Sequence, residues 1–133
     1  MKLTSQDVWR MDTYGFIQEM FKAEPEIRYI AIVNTQYEVL ASTQREGVPS
    51  FTSEETSRNF VSIVPQIIVD AVEKLAPFLG PVGGITAHYE KALVLFYRIG
   101  SLIVVISFEP QVETPFYDRL TQAFKKHAAQ YLS

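Results

Sequence analysis

Two histidines, His88 and His127, are the residues of this sequence that could bind a metal ion through nitrogen. Neither has a second histidine four positions away, the spacing that places two ligands on one face of a helix. Because the sequence contains no cysteine, it also offers no thiolate ligand, no disulfide and no cysteine nucleophile. The sequence therefore predicts neither a metal site nor a bound cofactor.

The two histidines have different surroundings in the sequence. His127 falls on the apolar stripe of the last predicted helix, which indicates a packing residue. His88 lies in a predicted edge strand, where its polar tip can reach solvent or a second chain. Because histidine titrates near neutral pH, an interface is the functional role that fits His88 best.

A glycine-rich segment at residues 80–84 (GPVGG) invites comparison with a phosphate-binding loop. Such a loop leads from a strand into a helix N-terminus, where backbone amides and the helix dipole favour the anion. Here the glycines follow a helix and precede a strand, which is typical of helix termination. The sequence also lacks a nucleophile elbow. Nucleophile, base and oxyanion donor cannot all be assigned, and we expect no enzyme.

Charged residues beside a glycine mark the predicted loop at residues 43–51, where Arg45 and Glu46 precede Gly47. Loops often hold binding residues, so this pair could contact a ligand or a partner. Loops are also polar by default, and a solvated loop is the other interpretation.

The overall composition limits the classes of partner. A net charge of −3 over 133 residues gives no electrostatic reason to bind nucleic acid. No run approaches about 18 uninterrupted apolar residues, and the N-terminus lacks the apolar core of a signal peptide. We expect one cytoplasmic domain that does not insert directly into a membrane.

Apolar runs of strand length predict a β-sheet. Apolar runs at 85–89, 92–99 and 102–109 are separated by two-residue turns, which predicts an antiparallel meander. Residues 27–33 form a strand with apolar side chains on both faces, and 39–42 form a short strand after a turn. Because run 102–109 is also apolar on both faces, we expect it to pair centrally with strand 27–33.

Apolar residues at helical spacing predict a helix at each end of the chain. The first begins at Thr4 or Ser5, carries Trp9 on its apolar stripe and ends near Lys22. The last spans residues 114–132. Its stripe of aromatic and aliphatic residues should dock on the sheet face opposite the long central helix; the stripe consists of Phe116, Leu120, Phe124 and Tyr131.

The long central helix begins at a capping box formed by Thr52 and Glu55 and runs to Gly80, with a kink at Pro65. It is apolar over most of its circumference and therefore needs cover on more than one side. A buried core helix and a dimer interface both meet that need. The candidate interface comprises this helix and the edge strand, at Phe60, Val64, Ile67, Ile68, Ala71, Ile85, Ala87 and His88.

The predicted order is α-β-β-α-β-β-β-α, an α+β fold with one mainly antiparallel five-stranded sheet between helices. From Asp7 to about Glu109 it resembles the roadblock/LC7 domain, a relative of the longin and profilin folds. Residues 27–34 and 39–42 look like its first hairpin, and 75–80 look like the end of its second helix. Short strings also resemble a family of small uncharacterised archaeal proteins; they are Ile27-Arg28-Tyr29, Arg45-Glu46-Gly47-Val48, Leu79-Gly80-Pro81-Val82 and Tyr89-Glu90-Lys91.

The roadblock resemblance implies a single domain over residues 1–133, with 114–132 as an added C-terminal helix. It implies a homodimer or heterodimer with paired long helices and a sheet continued across the edge strand. It also implies a non-enzymatic scaffold or regulator, whose partner is a small Ras-like GTPase or another roadblock-like subunit. The alternative is a small-molecule sensor with a pocket between the sheet and the helices of Trp9 or Phe124.

Overall fold

The order of elements is the one that the sequence predicts, with one short helix added. The computed structural model describes residues 11–132. The elements are α1 (Thr13–Ala23), β1 (Ile27–Asn34), β2 (Val39–Gln44), α2 (Glu54–Glu73), α3 (Ala76–Leu79), β3 (Ile85–His88), β4 (Leu93–Ile99), β5 (Leu102–Phe108) and α4 (Thr114–Tyr131).

One five-stranded sheet forms the middle layer, with strand order β2-β1-β5-β4-β3 and antiparallel pairing throughout. The central pair is β1 with β5, where Ile30 lies opposite Ile106 and Ile32 opposite Val104. The predicted fold class and the predicted central pair are therefore confirmed. Strands β2 and β3 are the two edges.

The start of α1 differs from the prediction. Asp12 is the N-cap, with non-helical backbone angles, and its side chain accepts a hydrogen bond from the Gly15 amide at 2.8 Å. The helix therefore begins at Thr13, and a helix continuous from Thr4 or Ser5 is wrong. The predicted caps and Trp9 themselves lie outside the described residues. The error arose because apolar spacing alone does not reveal an internal cap.

The start and the end of α2 also differ from the prediction. Ser53 caps the helix by accepting from the Thr56 amide at 3.1 Å, whereas the hydroxyl of Thr52 contacts the Ser57 hydroxyl. The helix passes through Pro65 but ends at Glu73. The next two amides bond to carbonyls three positions back, a tightening that separates α2 from α3.

Each face of the sheet has its own core. Helices α1 and α4 cover one face, where they pack on Ile30, Ile32, Val104 and Ile106. Helix α2 covers the other face and supplies a smaller core. That core consists of Ala31, Val33, Val61, Val69, Phe96, Ile103 and Val105.

Helix α4 docks on the face opposite α2, as predicted. Phe116 and Leu120 are fully buried there, and the ring of Phe124 stacks on Tyr97 with centroids 4.3 Å apart. The Asp12 amide donates to the Tyr131 carbonyl at 2.9 Å, which ties the start of α1 to the end of α4. The terminal helix therefore shares the core of the sheet.

Candidate functional site

Helix α2 is covered by its own chain along one narrow line. Only Val61, Pro65 and Val69 are buried in its 20 residues. Their spacing of four places them on one face, which rests on the sheet. Phe60 and Ile68 are partly buried beside that line, whereas Ile63, Ile67 and Val72 are exposed.

An exposed apolar surface results, which we call the α2–α3 apolar surface. Ten large apolar side chains are exposed among the described residues, and six of them belong to this region. Phe78 is 82% exposed and Ile67 57%. Apolar surface concentrated in this way marks an interaction site more often than scattered residues do. The six residues are Ile63, Ile67, Val72, Leu75, Phe78 and Leu79.

Strand β3 is an edge that can accept another strand. The Tyr89 amide bonds to the Ala92 carbonyl at 3.0 Å, and in an antiparallel ladder every second residue bonds to the neighbour. Ile85 and Ala87 therefore bond to β4. By the same alternation, Thr86 and His88 turn their backbone amides and carbonyls outward.

The structure divides the residues of the predicted interface between two environments. On α2, Ile67 and Ala71 are exposed and Val64 is half-buried, whereas Phe60 and Ile68 pack partly against the sheet. On β3, the His88 side chain is exposed, while Ile85 and Ala87 pack against the core beneath α2. The predicted interface does not include Ile63, Leu75 and Phe78, although each is an apolar residue in the same long apolar run.

Arg45 is held by its own chain. Its guanidinium donates to the carbonyls of Phe21 and Glu24, at 2.9 and 2.8 Å, and to that of Ile27. The Phe21 and Glu24 carbonyls lie at the end of α1, where a cation is favourable, and the Ile27 carbonyl lies at the start of β1. A ligand would have to break them to reach Arg45. Its neighbour Glu46 is exposed, and binding by this loop stays a prediction.

The histidines are far from a metal-binding arrangement in the described residues. His127 is 9% exposed on the packed side of α4, which confirms the packing interpretation, and its Nδ1 has no hydrogen-bond partner. Within residues 11–132, no group of three or more histidine or carboxylate side chains could hold a metal ion. No helix in that range is long and apolar enough to cross a membrane.

The sensor pocket is predicted between the sheet and the helices of Trp9 or Phe124, and Trp9 lies outside the described residues. The core between the sheet and α1 and α4 is filled, with Phe16 and Leu120 at 0% exposure. Aromatic rings occupy the space that the pocket needed, since Phe16 meets Phe124 edge to face at 5.9 Å. A cavity does exist, but it lies beneath the N-terminal half of α2.

The fold defined by these elements is the roadblock/LC7 fold, and comparison with solved structures confirms it. MglB in a tetrameric arrangement superposes with a TM-score of 0.69 at 16% identity, over 99% of this chain and 92% of that chain. Myxococcus xanthus MglB gives 0.67 at 12% identity, with the same coverage of 99% and 92%. A roadblock/LC7 domain from Streptomyces avermitilis gives 0.63 at 10% identity, over 99% and 98%.

Sequence comparisons add no closer relative. No protein-family profile matches the chain, and no curated protein matches it. The structural likeness therefore establishes the fold, and the function has to be argued from the surfaces of this chain.

Proposed function

We propose that this chain is a non-catalytic, roadblock-like scaffold or regulatory module that acts as a dimer. The α2–α3 apolar surface is the observation that carries this proposal. A monomer that exposed Ile67, Leu75 and Phe78 to water would forgo about 1.5 to 3 kcal/mol for each side chain that a partner could fully bury. A second copy of the same surface is the simplest partner, because a twofold contact is self-complementary.

The dimer that we propose has two parts. The α2 helices of two chains pack through Ile63 and Ile67, and the β3 strands pair so that the sheet continues from one chain into the other. Thr86 and His88 support the second part, because their outward backbone groups need partners of the kind that another strand supplies. The roadblock resemblance implies the same arrangement.

The partner of the dimer belongs to the same proposal. Roadblock proteins commonly serve as regulators of small Ras-like GTPases or pair with other roadblock-like subunits, and we propose a partner of one of these two kinds. One structural neighbour is a tetrameric arrangement of MglB, which is consistent with further assembly of this fold. We place the module in the cytoplasm, in keeping with the absence of cysteine from the sequence.

A proline at the sheet edge tests the dimer. Thr86→Pro removes an amide that points away from β4, so the ladder within the chain is kept while strand pairing across the edge is blocked. Thr86→Ala keeps the amide and is the matched control. Sedimentation velocity should show a dimer for the wild type and Thr86→Ala, and a folded monomer for Thr86→Pro. A dimer of unchanged affinity in Thr86→Pro would contradict pairing through β3.

Capture from native lysate tests the partner separately. The wild-type protein, immobilised through a terminal tag, should enrich a Ras-like GTPase or a roadblock-like subunit identified by mass spectrometry. Direct binding of that purified partner should then be measured by calorimetry. Failure to enrich either class would contradict the partner assignment. It would not affect the dimer, which the sedimentation experiment tests.

A further inference from the structure

A cavity of about 500 Å³ opens between the N-terminal half of α2, the loop that precedes it and the α2-facing side of the sheet. Its size falls within the range of about 300 to 1,000 Å³ that is typical of small-molecule sites. Phe51, Phe60, Val94 and Val105 are among the side chains that form its walls. The cavity is thus mainly apolar and offers aromatic surfaces to an occupant.

An irregularity in β1 brings a charged side chain to this cavity. Successive residues of a regular strand point to opposite faces, yet Arg28 and Tyr29 both line the cavity. The pairing of β1 with β5 shifts register between Ile27 and Tyr29, and a shift of this kind re-aims a side chain. Without it, Arg28 would point into the core under α1, together with Ile30.

Hydrogen bonds hold the Arg28 side chain in place without using all of its N–H groups. Its side chain is 9% exposed, and it donates to the Glu109 carboxylate and to the Pro49 carbonyl, each at 2.7 Å. A guanidinium has five N–H groups, so these two bonds leave other N–H groups of Arg28 able to bond to an occupant of the cavity. The guanidinium also lies over the Phe51 ring, 4.4 Å from its centroid, and this contact fixes its plane.

Two cationic side chains line the cavity. Arg28 and Lys91 line it together with a single acidic residue, Glu90. The Lys91 ammonium lies 5.7 Å from the centroid of Phe51, on the same ring that Arg28 contacts. The Glu109 carboxylate lies outside the lining and pairs with Arg28 at 2.7 Å. An apolar occupant with one negative group would match the apolar walls and bond to the N–H groups of Arg28 that Glu109 and Pro49 do not use.

We propose that this cavity binds a small, mainly apolar carboxylic acid, aromatic or aliphatic, with its carboxylate on Arg28 and its body between Phe51, Phe60 and Val94. The site goes beyond the proposed dimer and does not depend on it, because Ile63 and Ile67 do not line the cavity.

The probe for this site is 2-naphthoate, with neutral 2-naphthalenemethanol as its matched comparison. In ¹H–¹⁵N NMR titrations of the full chain, naphthoate should cause saturable shifts in the amides of residues 50–61 and 89–94. A charge-assisted hydrogen bond should make the acid bind about tenfold or more tightly than the alcohol. Absence of saturable binding, or equal affinity for the two compounds, would overturn the proposal.

Two variants locate the binding. Val94→Phe places a larger side chain in the void and should abolish the shifts, while Ile67→Ser on the outer side of α2 should leave the naphthoate affinity unchanged. Arg28→Gln should lose the preference for the acid but still bind the alcohol. If Arg28→Gln does not fold, Val94→Phe still decides, because wild-type affinity in that variant would place the ligand elsewhere. Loss of the dimer in Ile67→Ser with intact binding would separate this site from the proposed function.

Discussion

Replacing Ile67 with serine should weaken the proposed dimer strongly and the folded chain little. Ile67 is 57% exposed in the single chain and lies away from the line of α2 that rests on the sheet. Truncating it leaves no cavity in the core. The free energy of unfolding of the monomer should therefore change by about 1 kcal/mol or less.

The effect on the dimer follows from the area that a partner would cover. Burying a whole isoleucine is worth about 1.5 to 3 kcal/mol, so covering the exposed 57% of Ile67 is worth about 0.9 to 1.7 kcal/mol in each chain. A twofold interface contains the residue twice. The loss is then about 1.8 to 3.4 kcal/mol, which corresponds to about a 20- to 300-fold rise in Kd.

Sedimentation equilibrium over a concentration series measures this change. Tyr14→Ser is the matched control, because Tyr14 is 55% exposed but belongs to α1, which packs near the opposite edge of the sheet. The dimer Kd should rise for Ile67→Ser and stay at the wild-type value for Tyr14→Ser. Equal effects of both variants, or a wild-type chain that stays monomeric at high micromolar concentration, would contradict a dimer interface at Ile67.

Other predictions concern the stability of the single chain. Leu120→Ala removes a fully buried side chain of α4 and should cost about 2 to 5 kcal/mol in urea unfolding, whereas Gln122→Ala on the exposed side should cost about 0.5 kcal/mol or less. Arg45→Ala removes three bonds to carbonyls and should cost about 1.5 to 3 kcal/mol, against almost nothing for Glu46→Ala; equal losses would contradict the role of Arg45 at the end of α1. Burial raises the pKa of Tyr29 above its ordinary value of 10.0. The unfolded chain then loses this proton first as the pH rises, so stability should fall above about pH 10, and Tyr29→Phe should lessen that fall in urea titrations.

The two central strands could be predicted from the sequence because β1 and β5 have apolar side chains on both faces. The pairing of Ile30 with Ile106 and of Ile32 with Val104 follows from two strands that each need cover on both sides. Periodicity carries less information about helix ends. Asp12 and Ser53 cap their helices through side-chain oxygens, and each stands near other residues that could cap equally well.

The candidate sites depended on features that a linear pattern does not contain. The long apolar helix was visible, but which of its residues face the sheet depends on how the helix crosses the strands. The sequence pattern indicates Arg45 as a charged residue of an exposed loop, whereas its guanidinium donates to carbonyls at the end of α1. The cavity depends on the irregularity at Arg28, and its one signal in the sequence is an arginine within an otherwise apolar strand.

The distance between matching residues of two chains shows which surface holds the dimer together. Because the sequence has no cysteine, a spin label can be placed uniquely by Lys74→Cys next to α2, or by Gln18→Cys on α1. Helix α1 packs against β1 and β2, at the edge away from β3. Pulsed dipolar spectroscopy should give a short distance between the Lys74→Cys labels and a much longer one between the Gln18→Cys labels. The reverse order, or no dipolar coupling at Lys74→Cys, would contradict a dimer built on α2 and β3.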